Sequence, residues 1–194
     1  MSAGTRDSIV RAMIEIIAAQ GFEGLSVRGV AADAGVSAGA VQHHFPTREA
    51  MLGAAMSAIT DLASTRGSDL EDIAEPVERL HALVDLLVPG SPSDRVARVW
   101  LAFAARAAVD GPTGSEYARL WSRIRVQLRL LIAAAGGNAG TVERASRELL
   151  ALLDGLALSV VAERQEPGAA REIAHRRVDE IVGHQGQTGG RRTQ

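Results

Sequence analysis

Leu25-Ser26-Val27-Arg28-Gly29-Val30-Ala31-Ala32-Asp33-Ala34-Gly35-Val36-Ser37-Ala38-Gly39-Ala40-Val41-Gln42-His43-His44-Phe45 is the stretch on which the reading of the whole chain turns. Val27, Val30, Ala31 and Ala34 recur at helical spacing and form one apolar face over 27–34. Gly35 stands where a helix end must turn left-handed, and Ser37 is placed to cap a second helix over 38–45. Ala31 is small where the second helix must cross, and Val36, Val41 and Phe45 supply the apolar side of that second helix. Two short helices joined by a glycine turn at a steep angle make a helix-turn-helix.

The side chains left over on the second helix set its chemistry. Ala38, Gly39 and Ala40 keep it slim enough for a major groove, and Gln42 and His43 bring hydrogen-bonding groups to that face. The Gln42 amide can pair with an adenine edge, and His43 can donate to a base or a phosphate. Ser37 at one helix start, and Thr47 with Arg48 at the next, suit phosphate oxygens, while Arg6 and Arg28 can reach the flanking backbone. His44 completes the candidate contact set.

Outward from this stretch the chain reads as helix throughout. Ile9, Ala12, Met13, Ile16 and Ile17 form a one-sided stripe, with Thr5 as its expected cap and Gly21 as its end. Pro46-Thr47 introduces a fourth helix that carries Met51, Leu52, Ala55, Met56, Ile59 and Leu62 and fades near Gly67-Ser68. Further helices are expected over 73–88, 94–109, 115–135, 141–164 and 169–182, separated by Pro89-Gly90-Ser91-Pro92, Asp110-Gly111-Pro112, Gly136-Gly137 and Glu166-Pro167-Gly168. Residues 184–194 read as a disordered tail. The expected fold is all-α, about nine helices, short ones first and long ones after.

Composition agrees with a folded helical protein. Of 194 residues 46% are hydrophobic and only 3% aromatic, so helix formers outweigh strand formers. All 21 basic residues are arginine, against 23 acidic ones, so net charge (−2) argues neither for nor against nucleic acid and its distribution decides. The absence of Cys excludes disulfides, Cys-ligated zinc and thiol chemistry. Arg6, Asp7, Arg11 and Glu15 interrupt any leader-like apolar core, and no run of about 18 apolar residues offers a membrane span, so a cytoplasmic location is expected.

The segment Gly21-Phe22-Glu23-Gly24-Leu25-Ser26-Val27-Arg28, then Ala31 to Val36, then Ser37 through Leu52, resembles the DNA-binding domain of the TetR family of bacterial transcription regulators. Gln42 stands where members usually carry Tyr, and Arg48 where many carry Lys, so the tyrosine's phosphate contact does not transfer while the charge at 48 does. Trp100-Leu101-Ala102-Phe103 and Leu153-Asp154-Gly155-Leu156-Ala157 are similar to the betaine-regulator type of C-terminal domain. The resemblance implies a homodimer on a palindromic double-stranded operator, released by a small-molecule effector, with residues 1–48 reading DNA and 49–183 binding the effector and dimerising. The fourth helix joins the two functions, and a tilt of it on effector binding is the expected route by which the recognition helices spread.

Other readings were weighed on the residues. Gly35-Val36-Ser37-Ala38-Gly39 satisfies the pattern of a hydrolase nucleophile elbow, but an Ala-rich helix stands where the elbow needs a strand, so no catalytic residue is assigned. His43 and His44 are adjacent and point about 100° apart on a helix, which disfavours a shared metal, and no cofactor is implied. Met56, His81, Trp100, Phe103, Tyr117 and Trp121 are candidate effector contacts, or ordinary core. Leu149, Leu153, Leu156 and Val160, with Ile173 and Ile181, are the candidate dimer interface; a second stripe of Leu150, Ala157 and Val161 competes for burial within one chain. A ligand-independent dimeric regulator or helical adaptor remains the alternative function.

Overall fold

The computed structural model describes residues 2–183, and the tail read at 184–194 lies outside them. Among the described residues there are nine α-helices and no strand. They are α1 (Ser2–Gln20), α2 (Val27–Ala34), α3 (Ala38–His44), α4 (Arg48–Ser68), α5 (Pro76–Leu87), α6 (Arg95–Ala107), α7 (Gly111–Ala134), α8 (Val142–Ala162) and α9 (Pro167–Gly183). Short 3₁₀ turns, Phe22–Gly24 and Asp69–Asp72, follow α1 and α4.

Several boundaries are set by capping chemistry. Ser26, Ser37, Thr47 and Asp94 each accept a hydrogen bond from a backbone N–H three residues on, at 3.1 Å in every case, which satisfies one of the free donors at a helix start. Gly35 ends α2 with φ 66° and ψ 33°. Its N–H donates to Ala32 (3.3 Å) while that of Val36 donates to Ala31 (3.0 Å), a paired closure that needs the left-handed turn.

Several starts differ from the sequence expectation, among them that of α9, which begins at Pro167 rather than 169. The first helix begins at Ser2, so Thr5 lies inside it, its carbonyl accepting from the Ser8 hydroxyl at 2.9 Å. The helix expected from 73 begins instead at Pro76, whose fixed φ and missing N–H suit a first helical position while holding Glu75 extended. Arg79 Nε then donates to the Ile73 carbonyl at 2.8 Å. Pro112, expected in a break, sits in the first turn of α7, where Asp110 accepts from Thr113 N at 3.0 Å.

Two compact units result. The first combines α1 to α3 and α4 up to Thr65 with Ser93–Tyr117, and the second combines Arg66–Pro92 with the chain from Ala118 onward. In the first, α1 packs on α2 and α6, and α2 on α3, with Ile9, Met13 and Ile17 essentially inaccessible to solvent. In the second, Leu80 and Val84 of α5, Leu128 and Ile132 of α7, Leu149 and Leu153 of α8, and Ala174 and Val178 of α9 form one core.

Candidate nucleic-acid interface

The first unit turns the helix-turn-helix outward. Val30, Ala31, Val41 and Phe45 are buried and fix α2 against α3, while Arg28, Ser37, Ala38, Gly39, Gln42, His43 and Thr47 are exposed and Ala40, His44 and Arg48 are partly so. The exposed side of α3 thus carries an amide and imidazoles with no permanent charge. The hydroxyl oxygens of Ser37 and Thr47 already accept from the backbone, which leaves each hydroxyl proton available to an oxygen outside the protein.

The two arginines beside this face have work within the protein. Arg6 lies over the Phe45 ring at 5.4 Å. Arg48 Nη2 donates to the Phe22 carbonyl at 2.6 Å and stands 3.7 Å from Glu23 Oε2, so it braces the 3₁₀ turn after α1 against the start of α4. Glu23 and the Phe22 carbonyl are partners that a motif match cannot show, because they are 25 and 26 residues away in sequence.

The same unit contains an aromatic group. Phe103 stacks with Trp100 (centroids 5.7 Å) and meets the edge of Tyr117 (5.3 Å). Met56 is also buried in this unit. Arg95 pairs with Glu15, and Arg98 Nη1 donates to the Ala18 carbonyl at 3.5 Å, so α6, which carries two of the aromatics, is tied to α1. Glu15, Arg95 and Arg98 gave no sequence signal, since a surface ion pair across 80 residues has no spacing to read.

The other two candidate effector residues belong to the second unit. His81 Nε2 lies 3.0 Å from Asp179, and its ring is 4.5 Å from that of His175, which in turn lies 2.9 Å from Asp85. Trp121 Nε1 donates to Asp154 Oδ2 at 2.8 Å. Burial pushes the Asp154 carboxyl above the usual carboxylate range, and the indole hydrogen bond opposes that shift in part.

On α8 the structure separates two stripes. Leu149, Leu153, Leu156 and Val160 are at most 7% exposed in a single chain because α5, α7 and α9 cover them, so they have almost no surface to offer a second copy. Leu150 is likewise buried, Ala157 and Val161 are partly buried, and Ile173 and Ile181 on α9 keep part of their surface. The exposed side of α8 carries Glu143, Arg144, Arg147 and Glu148 in its first half and Ala151, Gly155, Leu158 and Ala162 in its second, and Leu158 is 48% exposed.

Residues 9–55 match the family model described as bacterial regulatory proteins, tetR family, and residues 76–183 match the model of the BetI-type transcriptional repressor C-terminal domain. The chain belongs to the TetR family. It is 30% identical to the HTH-type transcriptional regulator BetI of Stenotrophomonas maltophilia, over 90% of this chain and 91% of the relative. A transcriptional regulator from Rhodococcus has the same fold, with TM-score 0.82, 31% identity, and coverage of 92% of this chain and 96% of that one. A regulator from Saccharomonospora viridis, described in complex with choline, shares the fold at TM-score 0.80 and 22% identity, covering 93% of this chain and 96% of its own. As a TetR-family member the chain is a DNA-binding transcriptional regulator, not an enzyme. Among the described residues no helix is long and apolar enough to cross a membrane.

Proposed function

We propose that this TetR-family chain is a homodimeric cytoplasmic repressor that leaves a palindromic operator when a small molecule binds. Residues 1–48 read DNA, and 49–183 hold the effector and the dimer contacts. Gln42 and His43 meet base edges, while Ser37, Thr47, Arg28 and His44 meet phosphates, with the slim Ala38-Gly39-Ala40 face letting α3 into the groove. Two copies of α3 then lie about 34–36 Å apart, one helical turn of DNA. The partner copy packs on the exposed side of α8 at Ala151, Gly155 and Leu158, flanked by Ile173 and Ile181.

The observation that carries effector control is the placement of the Trp100, Phe103 and Tyr117 group in the same compact unit as the helix-turn-helix, on a helix tied to α1 through Arg95 and Arg98. A ligand that parts these rings moves α6, and α6 carries α1 with it; α4, which runs from one unit into the other, is the second route. A ligand acts only through different affinities for the two dimer states, so effector and operator weaken each other by the same factor.

The test begins with selection of bound genomic fragments by the full chain, followed by fluorescence anisotropy on the selected site with choline as the first effector probe. The expected result is a weaker operator complex in the presence of a bound effector and the reciprocal loss of effector affinity on operator. An effector that binds the protein and leaves operator affinity unchanged overturns the repressor mechanism and leaves DNA binding standing.

A further inference from the structure

Permanent positive charge is scarce where α3 must approach phosphate. The seven residues of α3 are Ala38-Gly39-Ala40-Val41-Gln42-His43-His44, with no arginine, and the chain has no lysine. Of the nearby arginines, Arg6 sits on Phe45 and Arg48 is paired with Glu23, which leaves Arg28 of α2 exposed beside α3. The groups on α3 that can gain positive charge are therefore the two imidazoles. Histidine is the side chain whose charge ordinarily changes around neutral pH.

Among the described ion pairs none joins His43 or His44 to a carboxylate, whereas His81 and His175 in the other unit each meet one. The His43 and His44 rings approach edge to face at 5.4 Å, so the two imidazoles stand together on one end of α3. Arg6 of α1 lies against the Phe45 ring, which is 6.3 Å from the His44 ring. The remaining charged groups on adjoining elements include Asp7 and Arg11 on α1, Arg28 and Asp33 on α2, and Arg48, paired with Glu23, with Glu49 at the start of α4. In the complex partly exposed His44 would meet phosphate, and exposed His43 would meet base edges between the same two phosphate rows, whose negative field favours the imidazolium.

We infer that operator binding by this chain takes up protons at His43 and His44, so that affinity for DNA rises as the medium turns mildly acidic and falls as it turns mildly alkaline. The inference rests on α3 being the DNA-reading helix. Each proton taken up per dimer changes affinity about tenfold per pH unit, so partial uptake by two protomers gives an expected fall of about tenfold or more between pH 6 and pH 8. Each imidazolium that replaces a counterion on the phosphates also steepens the dependence of log K on log salt by about 0.9 at the lower pH.

The test measures the affinity of the full-length dimer for its selected site by anisotropy at pH 6, 7 and 8, at two fixed ionic strengths. The proteins are the wild type, His43→Gln, His44→Gln and the double variant, each checked for its fold by circular dichroism melting. The wild type is expected to lose affinity with rising pH and to show a steeper salt slope at pH 6, and the double variant to lose most of both effects. Calorimetry of the wild type in two buffers of different ionisation heat reads the proton uptake without any substitution. A flat wild-type profile, zero uptake, or a pH dependence that persists in the double variant overturns the inference. Failure to bind any DNA at any pH refutes instead the placement of α3 as reader.

Discussion

Leu158→Ala separates the buried stripe of α8 from the exposed one. Full burial of a leucine side chain stabilises by about 1.5–3 kcal/mol, and Leu158 retains 48% of its surface in the single chain, so a partner has roughly 1 kcal/mol left to gain from it. A two-fold interface counts the residue twice, giving about 2 kcal/mol, or roughly a thirtyfold rise in the dimer dissociation constant at ten per 1.4 kcal/mol. Leu153→Ala is the comparison, because Leu153 is 2% exposed and packs against the helices of its own chain. That truncation costs about 2–5 kcal/mol of folding stability through the cavity it leaves, and lowers the melting temperature by about 4–20 °C. Sedimentation equilibrium at 20 °C over a wide concentration range, paired with thermal melts, reads both quantities. The reasoning fails if Leu158→Ala leaves the dissociation constant within threefold of wild type, or if Leu153→Ala raises it as far as Leu158→Ala does.

Other substitutions test the DNA-binding unit and the buried carboxylate. Ser37→Ala removes the α3 cap and should cost about 1 kcal/mol, visible as a melting temperature about 2–4 °C lower. Gly35→Ala forces a β-carbon into a left-handed turn and should destabilise by about 1 kcal/mol or more, although nothing crowds the added atom. Arg48→Ala should lower the melting temperature through loss of the Phe22 carbonyl bond; a salt slope for operator binding that stays unchanged would make Arg48 a brace alone, and one that falls by about 0.9 per protomer would make it a phosphate contact as well. For Asp154 the native carboxyl titrates above its unfolded value, so the native state holds more protons between the two. The stability it contributes is therefore fully present at acid pH and lost as pH rises through the raised value. Asp154→Asn should shift the melting temperature upward relative to wild type by more at pH 7 than at pH 3.5, and an equal shift at both would refute the assignment.

Residues close in sequence carried their own structure. Ser26, Gly35 and Ser37 act within three or four residues, through caps and a left-handed turn, so the helix-turn-helix was legible from order alone, and so was the outward face of Gln42 and His43. The same local rules misplaced the starts at 73 and 115, because a proline that can break a helix can equally begin one, and the start at Thr5, because the helix runs on past that capping-type residue to Ser2.

Spacing showed that α8 has apolar residues on more than one side, but which side a neighbour covers depends on α5, α7 and α9 arriving from elsewhere in the chain. Leu149 and Leu153 ended inside one copy and Leu158 outside it for that reason alone. Likewise the order of residues could collect Trp100, Tyr117, His81 and Trp121 as a chemical type, while only folding assigned the first two to the unit that holds the DNA-binding helices and the last two to the other. Capping and periodicity are interactions along the chain and are written in it; coverage of a face and the pairing of Arg48 with Glu23 or Arg95 with Glu15 are interactions across it, and exist only once distant segments have met.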